Sequence, residues 1–553
     1  MRNVLSMILI LMFALVYCSP INSYDVIISG GTIVDGTGQP AYKDDIGIRW
    51  DKIAKIGNLT GAKAKTVIDA EGKIVTPGFI DLNCRSQYDI LADGSAMSKL
   101  QQGVTTIILG NDHSPGPVYN QSIKYAELQL SKYNKDIKWT YLYEYLDHLQ
   151  ANGIAVNVGS FIGVRQMLGC YTGFAGVMLK GYRKDEFYSV VNKELHEGVL
   201  GISVSFNSIS KNNIFDYDVS SMANEFNSNK NAVIANSIRY SDERAPGWIK
   251  EILLFNEHTD FLFELKEMKL ESVNDPEIIN RYFDTVNELQ SLGNRIQGDI
   301  SPFPYYLEDL SEIIPYSFKK DGWDQLSAGL RSPEILKNIE TQMINDHGSR
   351  EELFGFFEKI RIIGVNKNQN KQYIGKTLSE IVGSSDEFMN VIAELILSEP
   401  IGIETQYETL NPDFIKEAVK KDWVKFSSGA PTIPDLAEKN DQYFSLLSYA
   451  AFPAALAYFV RDNGLLKIEE AVQKMTSMNA DLLKIEDRGR LIEGLKADIA
   501  VIDLSEVSSD YSPVVDKNYK TGVHFVLVNG YPVYESGKFN NRFPGEIIRR
   551  NNK

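Results

Sequence analysis

The chain contains 553 residues, enough for one large barrel or for several domains of ordinary size. Its 57 Lys and Arg against 73 Asp and Glu give a formal net charge of −16, which argues against binding nucleic acid through clustered basic side chains. With 43% hydrophobic, 11% aromatic and 24% charged residues, the composition excludes a disordered chain and a membrane-embedded one, and is typical of a soluble globular protein.

The first segment is predicted to be a targeting sequence. An uncharged apolar run, Val4–Tyr17, follows Arg2 and is shorter than the roughly 20 residues that a membrane-spanning helix needs. We interpret residues 1–18 as a signal peptide, cleaved either after Cys18 or before it, in which case Cys18 carries a lipid. The mature protein is therefore expected to be secreted, periplasmic or lipid-anchored, with no membrane contact except that anchor.

The cysteines predict no disulfide framework. Besides Cys18, the chain contains only Cys84 and Cys170, and nothing in their spacing requires a bond. A single Cys84–Cys170 bridge is the alternative. Two separately buried thiols are predicted instead.

Short Val/Ile-rich strands separated by glycine turns occur at both ends of the chain. YDVIISGGTIVDGTG begins at Tyr24, and KADIAVIDL and GVHFVLVNGYPVYESGKF lie near the other end. Such short strands separated by glycine turns are typical of an antiparallel β-sandwich. We therefore predict one small composite β-sandwich domain built from residues 24–76 and 490–553.

Between these ends, apolar strand candidates alternate with helical stretches, as a parallel sheet requires. The eight candidates are GFIDLN, VTTIILGN, AVNVGSFIG, LGISVSF, VIANSIR, FLFELKEM, RIQGDISPF and WVKFSS. Eight such units predict an α/β fold with a (β/α)₈ TIM-like barrel over residues 77–489. A stretch at about 305–408 is longer than one unit needs and is predicted to be a mostly helical insertion.

Several phrases of the sequence together resemble one enzyme family. They are TPGFID between the two predicted domains, Gly103–Thr106 through Asn111, NKQYIGKTLSEI from Asn370, KMTSMNADLLKIEDRGRLIEGLKADIAVID and RFPGEIIRR. They resemble the amidohydrolase superfamily and, within it, the N-acyl-D-amino-acid deacylase (D-aminoacylase) family. The resemblance runs from Tyr24 to Arg550 and implies zinc-dependent hydrolysis of a linear amide C–N bond.

The chain departs from that family at the positions that would bind zinc. Asn83 and Arg85 stand where the family has a His-x-His pair, and arginine is a permanent cation that cannot bind a metal. Ser237 and Glu267 replace two later histidines. Asp112 stands at the position of a cysteine ligand and could still bind a metal.

The positions for proton transfer and substrate binding differ as well. Ser428 stands where the family has its catalytic aspartate, and a serine hydroxyl with an ordinary pKa cannot replace that carboxylate. The family's arginine for the substrate carboxylate falls within Ser445–Leu447, and its tyrosine falls near Ser208. We therefore expect no catalytic residue and no bound cofactor, although the family uses zinc.

The first hypothesis is an exported, non-catalytic protein that binds a small anionic or peptide-like ligand. Arg85 and Arg239 would replace the charge of the lost metal by pairing with Asp112 and Glu267. The two guanidinium groups would also favour an anionic group on the ligand. His113 is the one histidine of six that is predicted near the strand ends, and it completes the set of candidate ligand-binding residues.

Alternatives from other classes stay open. One is an active hydrolase of non-peptide C–N bonds with a rebuilt metal site of Cys84, Asp112, His113 and Glu267. Cys84 with His113 as nucleophile and base, or two-carboxylate chemistry by Asp112 and Glu267, would need no metal. A third class is a protein that acts through its surface on a partner, for which the sequence offers no distinctive stripe.

Overall fold

A computed structural model describes residues 23–111, 113–172, 182–205, 233–237, 243–254, 262–271, 275–319, 322–383, 387–434, 436 and 444–550. The predicted signal peptide, Asp112, Ser208 and Arg239 lie outside the described residues. Within the described ranges, no helix is long and apolar enough to cross a membrane.

Short strands and helices follow one another along the described chain. In chain order the strands are β1 (Ser23–Ser29), β2 (Thr32–Ile33), β3 (Tyr42–Lys43), β4 (Asp45–Arg49), β5 (Lys52–Gly57), β6 (Lys63–Asp69), β7 (Ile74–Pro77), β8 (Phe79–Asp81), β9 (Val104–Leu109), β10 (Asn157–Ser160), β11 (Ile162–Gly163), β12 (Gly201–Ser205), β13 (Val233–Ser237), β14 (Leu262–Lys266), β15 (Arg295–Ile300), β16 (Tyr306–Asp309), β17 (Ile360–Gly364), β18 (Glu404–Tyr407), β19 (Val424–Phe426), β20 (Phe444–Ser445), β21 (Ile499–Ile502), β22 (Val514–Val515), β23 (Val523–Val528), β24 (Tyr531–Glu535) and β25 (Lys538–Phe539). The α-helices are α1 (Asp89–Ala92), α2 (Met97–Leu100), α3 (Ser122–Ser131), α4 (Leu142–Asn152), α5 (Val164–Thr172), α6 (Tyr182–His196), α7 (Ala245–Leu254), α8 (Pro276–Ser291), α9 (Tyr316–Lys319), α10 (Trp323–Gly329), α11 (Pro333–His347), α12 (Arg350–Phe357), α13 (Leu378–Val382), α14 (Phe388–Ser398), α15 (Pro412–Val419), α16 (Leu446–Leu456), α17 (Ile468–Met475) and α18 (Ser477–Leu482).

Strands from both ends of the chain build a two-sheet β domain. One sheet has the order β5-β4-β1-β6, and the other has the order β25-β24-β23-β21-β7-β2-β3. In the second sheet β7 pairs antiparallel with β21, which joins the early and late segments in one sheet. Alternate strand residues such as Val26, Ile46 and Ile499 point inward and form one buried apolar cluster. The predicted β-sandwich from both termini is confirmed.

The eight predicted apolar segments form the strands of a parallel barrel. In the described residues, β8, β9 and β10 form one part of the wall, and β11, β12, β13, β14, β15 and β19 form the other, with the third strand split into β10 and β11. A parallel bridge between Cys84 and Ala430 joins the first and last strands. All six residues of β9 are buried, as expected for a strand covered on both faces. The predicted (β/α)₈ barrel is confirmed.

The segment between β15 and β19 contains more than the predicted helices. Helices α9 to α14 lie there, together with a three-stranded antiparallel sheet of order β16-β18-β17. These strands have four or five residues each, too short for a clear period-two pattern. Because β16 follows the barrel strand β15 after five residues, this sheet starts beside the carboxyl end of the barrel.

Candidate functional site

Four charged side chains form a network at the carboxyl ends of the barrel strands. They are Arg85 after β8, Glu267 and Lys269 after β14, and Glu308 in β16. Arg85 Nη2 lies 3.0 Å and 2.9 Å from the two carboxylate oxygens of Glu267, and 3.4 Å from Glu308 Oε1. Lys269 Nζ lies 3.4 Å from Glu267 Oε2 and 4.0 Å from Glu308 Oε1. Arg85 therefore pairs with Glu267, one of the two carboxylates predicted to pair with Arg85 and Arg239, and the two cations balance the two carboxylates.

The protonation states of these side chains depend mainly on one another, because water reaches them only in part. The Glu267 side chain is only 6% exposed, the Arg85 side chain 21% and the Glu308 side chain 34%. Burial opposes ionisation of Glu308, but the charges of Arg85 and Lys269 outweigh it and lower the pKa of that carboxyl. Burial also opposes the charge of Arg85, yet Glu267 and Glu308 raise its pKa above the ordinary value.

Arg85 and Lys269 also hold the inserted sheet against the barrel. Arg85 Nη1 donates a hydrogen bond to the carbonyl oxygen of Leu307 in β16. The Lys269 ammonium lies 3.7 Å from the centre of the Tyr306 ring, in the geometry of a cation–π contact. The barrel mouth and β16 are thus connected through the two cations of the network.

Glu267 is held in a backbone conformation that glutamate rarely adopts. Its φ is +50°, in the left-handed region, where an L-residue other than glycine costs about 1 kcal/mol or more. Its N–H donates to Asp299 Oδ1 at 3.3 Å, and the next N–H, that of Met268, donates to the carbonyl of Asp299 at 2.9 Å. This turn directs the Glu267 carboxylate toward Arg85.

Ser428, predicted to stand at the position of the family's catalytic carboxylate, is part of a second buried network. Its hydroxyl donates to Asp81 Oδ2 at 2.6 Å, and its N–H donates to Asp81 Oδ1 at 2.9 Å. Lys99 Nζ lies 3.0 Å from Asp81 Oδ2 and 2.9 Å from the Ser428 hydroxyl, and the Lys99 and Asp81 side chains are fully buried. The hydroxyl therefore joins two structural elements and is not available to move a proton.

A third set of charges lies along neighbouring barrel strands. Lys425 Nζ in β19 contacts Glu264 in β14 at 2.8 Å and Gln297 in β15 at 3.0 Å. Burial raises the pKa of Glu264 to about 8, although Lys425 acts in the opposite direction. Lys266, two residues after Glu264, packs its ammonium 4.7 Å from the centre of the Phe161 ring. Residues two apart on a strand share a face, which explains how these groups come together.

Among the described residues, the donor atoms at the mouth do not fit the zinc that the resemblance implies. Both Glu267 oxygens are engaged by Arg85, so a metal bound to them would lie beside a permanent cation. Both side-chain amide atoms of Asn83 are buried without a hydrogen-bond partner, but a neutral amide is a poor zinc ligand. The Cys84 thiol is hydrogen-bonded to Ser86 at 3.3 Å, and burial raises its pKa to about 11, which keeps it protonated.

His113 does not join the other candidates. Its ring stacks on Tyr125 with 5.7 Å between the ring centres, and burial, with a contribution from the charge of Arg165, lowers its pKa well below the ordinary value. Cys84, His113 and Glu267 do not form a group of ligand atoms within 4.8 Å of one another; over the described ranges such a group occurs in the β domain instead, as Asp503, Glu506 and His524. The Cys84 thiol is hydrogen-bonded to Ser86 rather than paired with His113.

The remaining candidates have mixed outcomes. Asp112 and Arg239 are not described, and Ser237 ends β13 with a side chain that is not described. Cys84 and Cys170 are both free and buried, as predicted. The network members Glu308 and Lys99 were not found from the sequence, because one lies in the insertion and the other in a helix outside the barrel wall. Asp81 lies in the phrase TPGFID, so the sequence could have indicated it as a member of the site.

Comparisons with known proteins agree with this architecture. A model of the amidohydrolase family matches residues 446–534. The D-aminoacylase of Alcaligenes xylosoxydans xylosoxydans is 24% identical over 535 residues, which is 95% of this chain and 98% of that protein. The N-acyl-D-glutamate deacylase of the same organism is 23% identical over 532 residues, covering 95% of this chain and 96% of the relative.

Solved structures show the same fold. The N-acyl-D-glutamate deacylase of Bordetella bronchiseptica, complexed with zinc and a phosphonate inhibitor, superposes with a TM-score of 0.75 at 20% identity, over 95% of this chain and 100% of that chain. A crystal structure of D-aminoacylase gives a TM-score of 0.73 at 20% identity, with the same coverage. Over nearly its whole length the chain is therefore similar to D-aminoacylase and its relatives, and its residues 446–534 match the amidohydrolase family.

Proposed function

We propose that this protein is an exported, non-catalytic relative of D-aminoacylase whose barrel mouth binds a small anionic or peptide-like ligand. The observation that carries the proposal is the ion pair between Arg85 and Glu267, with both carboxylate oxygens within 3.0 Å of one guanidinium nitrogen. The Arg85 guanidinium thus engages the Glu267 carboxylate oxygens that a metal ion would need as ligands.

Hydrolysis of an amide by the zinc route requires a metal-bound water with a pKa near 7 and a group that transfers the proton. Arg85 takes up the carboxylate that could have held a metal. The Ser428 hydroxyl is already donated to Asp81 and receives a hydrogen bond from Lys99. The described part of the site thus offers neither that nucleophile nor that acid/base group.

The most exposed side chain of the mouth network indicates where a ligand would bind. Glu308 is the most exposed of the four side chains, and its contacts with Arg85 and Lys269, at 3.4 Å and 4.0 Å, are long. A carboxylate on a ligand would replace Glu308 beside these two cations. Two relatives are named as deacylases of N-acyl-D-glutamate and N-acyl-D-aspartate, whose substrates carry such carboxylates.

The test begins with the full purified chain. We expect far less than one zinc per chain by elemental mass spectrometry, no release of amino acid from N-acetyl-D-glutamate with or without added zinc, and saturable binding of N-acetyl-D-glutamate by calorimetry. Near-stoichiometric zinc together with chelator-sensitive hydrolysis would contradict the proposal and restore the hypothesis of a rebuilt metal site. The absence of any binding would contradict the ligand site and favour a protein that acts through its surface.

A matched pair of variants tests the role of Glu308. Glu308→Gln removes the charge that competes with the ligand, so N-acetyl-D-glutamate should bind about tenfold more tightly, about 1.4 kcal/mol. Glu312→Gln is the control, because Glu312 is also an exposed glutamate near this strand but pairs with Lys319 instead. Equal affinities of the two variants would show that the ligand does not reach Arg85 and Lys269.

The location outside the cytoplasm rests on the sequence of residues 1–18 alone. Fractionation of cells that produce the full chain tests it directly. Recovery of the protein with the cytoplasmic fraction would contradict this part of the proposal without affecting the argument about the barrel mouth.

A further inference from the structure

The smaller sheet of the β domain has one open edge. In its order β5-β4-β1-β6, the strand β6 has β1 on one side and no described strand on the other. The opposite edge is covered by the chain itself, because the Ile53 N–H donates to the carbonyl oxygen of Leu495 at 2.9 Å and Lys52 forms a β-bridge with Lys496. In the other sheet the edge strands β3 and β25 have only two residues each, whereas β6 has seven. The described part of the β domain therefore leaves β6 as its longest open edge.

The backbone groups at this open edge belong to every second residue of β6. The Ala70 N–H donates to the carbonyl oxygen of Ser29, the last residue of β1, at 2.9 Å. Since successive residues of a strand direct their N–H and C=O groups to opposite sides, the even-numbered positions of β6 face β1. The residues whose N–H and C=O groups face the open edge are Lys63, Lys65, Val67 and Asp69.

The side chains of β6 are also exposed. Val67 is 62% exposed and the Lys65 side chain is 81% exposed, while Ile68 alone in the strand is buried in the core of the sandwich. An open edge can pair with another chain, and lysines on an edge strand commonly prevent such pairing. Whether the lysines of β6 prevent it depends on which side chains would lie opposite them.

The charges of β6 are complementary to those of a second copy in one antiparallel register. When Thr66 lies opposite Thr66 of the second copy, all seven residues of the strand overlap and Lys63 lies opposite Asp69. Within the described chain neither Lys63 nor Asp69 forms an ion pair, so both charges are available to the second copy. Lys65 keeps its pair with Asp25 at 2.6 Å, and its aliphatic stem covers the exposed Val67 opposite it.

Other registers are less favourable. A shift of two residues in one direction places Lys65 opposite Lys65 of the second copy, and like charges directly opposite each other are destabilising. The same shift in the other direction leaves Lys63 beyond the end of the partner strand. A shift of one residue places groups that face the open edge opposite groups that already face β1. The register centred on Thr66 is therefore the one that the sequence of β6 favours.

We propose that two copies of this protein associate through β6 as a two-fold symmetric dimer, in which the two smaller sheets become one. Four opposed residue pairs would exchange about eight main-chain hydrogen bonds, and the contact between Lys63 and Asp69 would form twice. A contact along one strand is smaller than the roughly 1,200 Å² that stable complexes bury, so the dimer should dissociate on dilution at about micromolar concentrations. The inference is independent of the proposed function of the barrel mouth.

The first test is a disulfide that requires this register. Opposed residues that exchange no hydrogen bonds have Cα atoms about 4.5 Å apart, which lies within the range of disulfides. The full chain with Thr66→Cys should therefore form a covalent dimer under mild oxidation. Thr60→Cys is the matched control, because Thr60 is also exposed but its two copies would lie more than about 20 Å apart. The unchanged chain is the second control, since its Cys84 and Cys170 are buried.

The second test exchanges the charges. Asp69→Lys places two cations opposite each other at both ends of the contact, and we expect the dissociation constant of the dimer to rise at least about tenfold in sedimentation equilibrium. Combining it with Lys63→Asp reverses both charges and should restore the original dissociation constant. A loss of affinity caused by damage to the turn after β6 would not be restored in this way.

Three outcomes would overturn the proposal. The first is a chain that stays monomeric up to about 100 µM. The second is a dimer in which Thr66→Cys forms no disulfide, because another surface would then hold the two copies together. The third is a monomer in which the Val67 N–H is protected from hydrogen exchange, which would show that another segment of the chain or a bound peptide covers the edge.

Discussion

Two networks of hydrogen bonds and ion pairs in this molecule, each centred on one arginine, have different roles. Arg488, in the segment between α18 and β21, has a side chain that is 3% exposed and donates to Asp498, to Asn529 Oδ1 at 2.8 Å and to Glu546 Oε2 at 2.7 Å. Asp498 in turn accepts a hydrogen bond at 3.0 Å from Asn157 in the third barrel strand. This network joins the β domain to the barrel.

Arg85, by contrast, is at the mouth of the barrel and partly exposed. Arg488, Asp498 and Asn529 lie in the segment that the amidohydrolase model matches, whereas Arg85 lies outside it, at a position where the family resemblance predicts a histidine. The comparison contrasts a fully buried network that connects two parts of the fold with a partly exposed network at the barrel mouth. The predictions below separate these two roles.

The largest effect is expected for Arg488→Ala. Removing one partner of a buried ion pair leaves Asp498 uncompensated, and we expect a loss of about 3–5 kcal/mol in the free energy of unfolding, measured in urea. Arg490→Ala is the matched control, because Arg490 pairs with the exposed Asp481 and should cost at most about 1 kcal/mol. Similar losses in both variants would show that the Arg488 network does not hold the two domains together.

The next effect concerns zinc. Replacing Asn83 and Arg85 together by histidine releases Glu267 and adds two imidazoles, which gives three ligands. We expect the dissociation constant for zinc to fall at least about 100-fold, about 2.7 kcal/mol, in a competition titration. Asn83→Gln with Arg85→Gln is the control that breaks the ion pair without adding ligands. If both double variants bind zinc equally, the mouth is not the place where the metal binds.

A smaller effect is expected when one partner of the Arg85–Glu267 ion pair is removed. Arg85→Ala leaves the buried Glu267 with Lys269 as its remaining ion-pair partner among the described residues, and should lower the free energy of unfolding by about 2 kcal/mol, less than for a fully buried pair. Arg85→Met with Glu267→Met removes both charges and should cost less than about 1 kcal/mol in the same urea experiment. A double variant that is less stable than the single one would show that packing, not charge, dominates here.

The smallest effect depends on pH. The pKa of His113 is low in the folded protein, so below about pH 6.5 the unfolded chain binds a proton that the folded chain does not, and stability falls as the pH falls. In His113→Asn this loss should disappear, and the difference between the proteins should change by about 1.4 kcal/mol per pH unit between pH 6 and pH 5. Parallel unfolding curves at both pH values would contradict the burial of this ring.

The barrel was predictable because parallel strands buried on both faces have a simple pattern. Short, mostly apolar segments such as VTTIILGN are typical of strands that are buried on both faces of a parallel sheet. The inserted sheet was not predictable, because β16, β17 and β18 come from positions up to about a hundred residues apart and each is too short to show a period. Pairing between such strands depends on tertiary contacts.

The sequence alone determined the fold class, and it predicted that Asn83 and Arg85 stand in place of a histidine pair and Ser428 in place of a catalytic carboxylate, since each follows from which residue type stands in a motif. Only the tertiary structure decided where the remaining charges go: Glu308 beside Arg85, Lys99 beside Asp81, and His113 away from Glu267. The Arg85–Glu308 contact joins residues 223 positions apart in the chain. Even Lys99 and Asp81, which are 18 positions apart, lie in a helix and a strand whose packing is not specified by residue spacing.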